Sequence, residues 1–217
     1  MVNSIETTTY KELRHAILYG KINPDDLLSE ASLSKQMGIS RTPIRSALKQ
    51  LELEGLVSYQ KNRGVTLREA SVKEMVDITQ ICVQWMMLAV EQVNVGLGSF
   101  DIEKIQQKLD EAKAYRAAED YVHYINKMPE VYMNIMKASG NNLLVPTYKA
   151  LLGRQISTSL YHKMSDPKNA PEKKRSTVLF FQEFLDSINE EKYGEAIDTL
   201  KNYQEYANNQ ILHYGHL

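Results

Sequence analysis

The run Gly38-Ile39-Ser40-Arg41-Thr42-Pro43-Ile44-Arg45-Ser46-Ala47-Leu48 limits what this chain can fold into more than any other stretch. Gly38 closes one short helix, because glycine enters the left-handed conformation of a helix end without a steric penalty. Ser40 or Thr42 caps the next helix, and Pro43 falls in its first turn, where a missing N–H costs nothing. Two short helices joined by a turn of a few residues make a helix-turn-helix. In the second helix Ile44, Leu48 and Leu51 recur at i, i+4, i+7 as a buried stripe, while Arg41, Arg45 and Lys49 recur every four residues along another face. A line of cations on an exposed helix face suits a DNA major groove flanked by phosphates.

Gly55 stops this helix, and Leu56-Val57-Ser58-Tyr59-Gln60 and Val65-Thr66-Leu67-Arg68 read as two strands around the turn Lys61-Asn62-Arg63-Gly64. The pattern predicts a winged helix-turn-helix with a basic hairpin tip beside the recognition helix. Its candidate DNA-binding residues are Lys35, Ser40, Arg41, Thr42, Arg45 and Lys49 on the helices, and Asn62, Arg63 and Gly64 at the tip. Upstream, a first helix over Thr7–Tyr19 places Leu13, Ala16 and Ile17 inward, with Lys11 and Arg14 either touching phosphate or solvated. A loop pins Leu27 or Leu28 into the core, and a second helix runs from about Glu30 to Met37.

Net charge is −1 overall, but residues 1–68 carry ten Lys/Arg against seven Asp/Glu and the remainder sixteen against twenty. The basic excess lies in the part with the DNA-binding pattern, and its small size calls for two copies to reach useful affinity for double-stranded DNA. Cys82 is the only cysteine, so no internal disulfide forms; no run of eighteen apolar residues occurs, and Met1-Val2-Asn3-Ser4-Ile5-Glu6 has no signal-peptide character. The expected location is cytoplasmic, away from membranes. A nucleophile elbow, a P-loop, a dinucleotide fingerprint and a His-x-x-x-His metal helix are all missing from the sequence, which argues against an enzyme.

The residues Leu13 to Gly20, Pro24, Ser40 to Leu48, Leu51, Glu54-Gly55-Leu56-Val57 and Arg63-Gly64 closely resemble the DNA-binding domain of the GntR family of bacterial transcription regulators. The resemblance covers nearly all of residues 1–68. In the family's FadR branch an arginine near the start of the second helix contacts DNA; the matching position is Ala31, so that contact is expected to be missing, with Lys35 a partial substitute.

Residues 69–71 form a linker, and Ser71 with Glu74 matches a capping box that opens a long helix. From residue 72 to 217 only helical segments separated by breakers occur: Val72 to Val95, Asp101 to Ala118, Glu119 to Ser139 with an interruption at Met128-Pro129, Leu143 to Met164, Lys173 to Asn189, and Tyr193 to Tyr214. The predicted fold is therefore mostly α: a winged helix-turn-helix followed by an antiparallel bundle of about six helices. Asp77-Ile78, Ala138-Ser139-Gly140-Asn141, Asp186-Ser187-Ile188, Ala196 and Leu200 make this half resemble the FCD effector domain of the FadR subfamily, at the shorter, VanR-like length.

That resemblance implies a metal held by one Asp and three His, but the matching positions hold Met128, Tyr132, Phe181 and Tyr203, which supply neither imidazole nor carboxylate. No metal and no other cofactor is expected. These four residues either line an aromatic pocket for an apolar or amphipathic small-molecule effector or fill the cavity as core. Cys82 and Met86 stand where relatives carry an arginine and a glutamate near the ligand, and Arg154 is the candidate for an anionic group, or else a surface ion pair. Cys82 lies in an apolar segment, which argues against a redox sensor. Two functions follow: a repressor that binds a palindromic operator as a homodimer under effector control, or a constitutive DNA-binding dimer whose helical half only dimerises.

Overall fold

The computed structural model describes residues 5–22, 27–60, 64–68, 70–165 and 177–214. Over these the chain forms nine helices and a two-stranded sheet, in two compact units. One comprises Met1–Ala70 with Leu151–Ser165; the other comprises Ser71–Ala150 with Asp166–Leu217.

In the first unit helices α1 (Ile5–Leu18), α2 (Glu30–Met37) and α3 (Arg41–Leu53) precede strands β1 (Val57–Gln60) and β2 (Gly64–Leu67). The apolar spacing of the sequence becomes the core: Leu13 and Ile17 of α1 are buried, as are Ile44, Ala47, Leu48 and Leu51 of α3. Each of the leucines and isoleucines contributes about 1.5–3 kcal/mol, so this stripe outweighs the polar contacts at its rim. Those contacts are local ties: Arg14 Nε meets Glu54 Oε2 at 3.1 Å, and the Tyr10 hydroxyl donates to the same carboxylate. Arg14 therefore joins α1 to the end of α3, which neither sequence alternative for it described.

Helix α2 starts where Ser29 Oγ accepts the N–H of Ser32 at 3.0 Å and ends at Gly38, φ +67°. Ser40, and not Thr42, occupies the N-cap of α3, yet its side chain makes no capping bond. Pro43 is the third helical residue, so one N–H that an N-cap serine ordinarily receives is missing. The strands pair antiparallel, Val57 opposite Leu67 and Gln60 opposite Gly64. Leu28 bridges Val65 through bonds of 2.7 and 2.9 Å and is buried, whereas Leu27 is exposed.

The second unit contains α4 (Val72–Asn94), α5 (Ile102–Ala117), α6 (Tyr121–Lys137), α8 (Thr177–Asn189), α9 (Tyr193–Tyr214) and the start of α7 (Leu144–Ser165). Helix α4 packs on α6 and α9, α5 on α6 and α8, and α8 on α9. Side chains set the starts: Ser71 caps Glu74 at 3.1 Å, Asp101 caps Lys104 at 3.1 Å, and Asp120 caps His123 at 3.2 Å. Of the kink or break expected at Met128-Pro129, the break does not occur, since α6 runs through Pro129 as one helix. An interior proline costs about 3 kcal/mol, and the buried face of Tyr124, Met128, Val131, Tyr132 and Ile135 outweighs it at about 1.5–3 kcal/mol per large side chain. The expected start of α8 at Lys173 lies outside the described residues. Among the described residues no helix is long and apolar enough to cross a membrane.

Candidate nucleic-acid interface

Helix α3 buries Ile44, Ala47, Leu48 and Leu51 and thereby turns Arg41, Thr42, Arg45 and Lys49 outward, all exposed along with Ser40 before them and Lys35 on α2. The four-residue repeat of the cations follows from the buried stripe: at roughly 100° per residue, positions four apart share a face. Asn62 and Arg63 lie outside the described residues. Gly64 stands at the start of β2 with φ +116°, and a β-carbon there would lie 3.0 Å from the Leu28 carbonyl oxygen. Glycine is required at that position by its positive φ and by the nearby Leu28 carbonyl.

The sequence did not reveal Glu30. Its carboxylate takes two bonds from Arg45, Nε to Oε1 at 2.9 Å and Nη2 to Oε2 at 2.7 Å. These bonds hold Glu30 below the usual carboxylate range against the opposing effect of its burial, and the charges of Arg45, Arg41 and Lys49 add to the shift. Tyr59 on β1 lies near enough to feel both charges, and burial raises its hydroxyl pKa. An acidic residue in the first turn of α2, on an otherwise basic surface, was the available signal; a partner fifteen residues away was not.

In the helical unit the expected pocket residues are partly brought together. Phe181 lies with its ring centroid 4.9 Å from both Tyr132 and Tyr203, and the two tyrosine hydroxyls are 2.9 Å apart. Met128, Met86 and Cys82 are also buried. The Cys82 thiol hydrogen-bonds to the hydroxyl of Tyr148, a fully buried residue that the sequence reading missed, and burial pushes that thiol up to about 12. Burial likewise raises Tyr132 and Tyr148 well above the ordinary tyrosine value. Arg154 belongs to the first unit, where its Nε would lie 2.3 Å from a β-carbon on Gly55. Among the described residues no cluster of three or more His, Cys, Asp or Glu could hold a metal.

Residues 6–67 match the model of the bacterial regulatory proteins, gntR family. Over these residues the chain is similar to the DNA-binding segment of that family. The chain is 29% identical over 104 residues to the uncharacterized HTH-type transcriptional regulator YdhC of Bacillus subtilis (strain 168), covering 48% of this chain and 46% of that protein. It is also 29% identical over 112 residues to the gluconate operon transcriptional repressor of Bacillus licheniformis, covering 51% and 46%. The chain thus spans about half the length of these curated relatives. A solved structure of McbR/YncC from Escherichia coli superposes with a TM-score of 0.75 at 20% identity over 98% of this chain and 99% of that one, a likeness of fold. The matched residues include α3 and both strands, and in this chain Glu30 takes up one of the three cations of the α3 stripe.

Proposed function

We propose that the chain is a transcription repressor of the cytoplasm that binds a palindromic operator in double-stranded DNA as a homodimer. The exposed stripe Arg41, Arg45 and Lys49 on α3, in a GntR domain, carries this reading. The cations meet phosphates and base edges of one half-site, with Lys35, Ser40, Thr42 and the tip residues Asn62, Arg63 and Gly64 setting register. The relative named a gluconate operon transcriptional repressor supports the direction of control. Selection of the full-length chain on random duplex DNA tests the proposal, followed by affinity measurements at fixed salt. Wild type should enrich a two-fold symmetric site. Arg45→Ala should weaken binding to that site by roughly 5- to 150-fold, the value of a bidentate arginine–guanine contact. Unchanged affinity in the variant would remove Arg45 from the reading.

Control by a small-molecule effector in an FCD-like helical domain is one version of this function. Constitutive binding, with the helical domain serving dimerisation alone, is the other, and the mutual packing of Tyr132, Phe181 and Tyr203 supports it. A thermal-shift screen with acyl-CoAs, organic acids and sugar acids separates them: a compound that both stabilises the protein and changes operator affinity restores effector control.

A further inference from the structure

Arg45 has five N–H donors in a planar fork. Glu30 takes those of Nε and one on Nη2, at 2.9 and 2.7 Å. The edge still available is formed by Nη1 and the remaining N–H of Nη2, which is the end of the side chain. Guanine offers O6 and N7 in the major groove as two acceptors matched to such a two-donor edge.

From this geometry we infer that Glu30 is a specificity-determining positioning residue: it grips the side of the Arg45 guanidinium and presents its end to a guanine. The inference rests on the reading of Arg45 as a base-contacting residue. Three observations set it apart from an incidental surface pair. The contact is bidentate, so it fixes the plane of the guanidinium as well as its place. Glu30 belongs to the first turn of α2, which Ser29 caps through Ser32, so its backbone is held by the same turn that begins the helix-turn-helix. Arg45 itself is more than half exposed, on the same face of α3 as Arg41 and Lys49, while Glu30 is largely covered at 22%. A free arginine would lose several rotamers on binding; one already held loses fewer, and its fixed two-donor edge favours the base with two matching acceptors over those without. Glu30 also places a negative charge near phosphates, so it weakens binding to all sequences while sharpening choice among them.

The test uses the full-length chain in four forms: wild type, Glu30→Gln, Glu30→Ala and Arg45→Ala. Each is selected on random-sequence duplex DNA and then titrated at one salt concentration with the enriched site, its single-base variants and an unrelated duplex. Both Glu30 variants should lose about tenfold of base preference at the same positions that Arg45→Ala flattens, while affinity for the unrelated duplex stays level or rises. Thermal melts of all four forms show that the folds are intact. Three results overturn the inference. An unchanged base profile in both Glu30 variants, with Arg45→Ala altered, means that Glu30 does not position the reader. Uniformly tighter binding with an unchanged profile makes Glu30 only a brake on affinity. A profile that Arg45→Ala leaves intact removes Arg45 from base reading, and the inference falls with it.

Discussion

Tyr132 and Tyr203 allow the interior of the helical unit to be probed by a double-mutant cycle. Their hydroxyls lie 2.9 Å apart, with the residues only 4% and 7% exposed. One phenol donates and the other accepts. Replacing either with phenylalanine leaves the remaining hydroxyl without that partner where water scarcely reaches, at a cost of about 1–3 kcal/mol. Replacing both removes the two polar groups together and should be nearly neutral. The double variant is therefore expected to be more stable than either single variant, with a coupling equal in size to the two single losses together, about 2–6 kcal/mol; independent positions add to within about 0.3–0.5 kcal/mol. The single tryptophan, Trp85, lies on α4 in the same unit, so its fluorescence during urea unfolding follows the relevant structure. At pH 7 both phenols are protonated, since burial raises each above its ordinary value. Additive losses would refute the reasoning, because they would mean that water replaces the missing partner and that the cluster borders an open cavity.

The Cys82 thiol, raised to about 12 by burial, should stay unreactive toward a disulfide reagent at pH 8 in the folded protein and react once urea is added; rapid labelling without urea would contradict this. For linkage the sign is plain: the folded-state value exceeds the unfolded one, so the contribution of Cys82 is intact below about pH 9 and is lost as pH rises toward 12. Tyr132 and Tyr148 act in the same direction at higher pH, and melting temperatures should hold level from pH 8 to about 9 and fall from there to pH 11. Gly38 has φ +67° and nothing within 4 Å of an added β-carbon; Gly38→Ala should cost only the left-handed penalty of about 1–2 kcal/mol. Gly55→Ala carries the same penalty at φ +71° and drives a β-carbon into Arg154. Calorimetry should therefore rank it as more destabilising, and the added substitution Arg154→Ala should narrow the gap.

The winged helix was legible because its determinants are local. Gly38, Pro43, Gly55 and the 3–4 repeat of Ile44, Leu48 and Leu51 each act within a few residues, and the α2 boundaries Glu30 and Met37 were read directly. Helix ends in the second unit were legible where Ser71 and Asp101 cap them. The left-handed turns at Glu119 and Glu191 were less so, because glutamate carries no signature for φ near +56°. Pro129 misled for the opposite reason: the local rule was sound, and burial over the rest of α6 overrode it. The Glu30–Arg45 pair, the seat of Arg154 and the Cys82–Tyr148 contact all depend on which elements meet, and side-chain type at a single position does not encode that.

Phe181 is 1% exposed and enclosed by Tyr132, Tyr203 and Phe184. Shortening it to alanine would leave a void walled mainly by ring carbon, the kind of space that stays dry and admits a benzene-sized guest. The volume of one side chain is therefore all that separates this filled interior from one with room for a small apolar molecule.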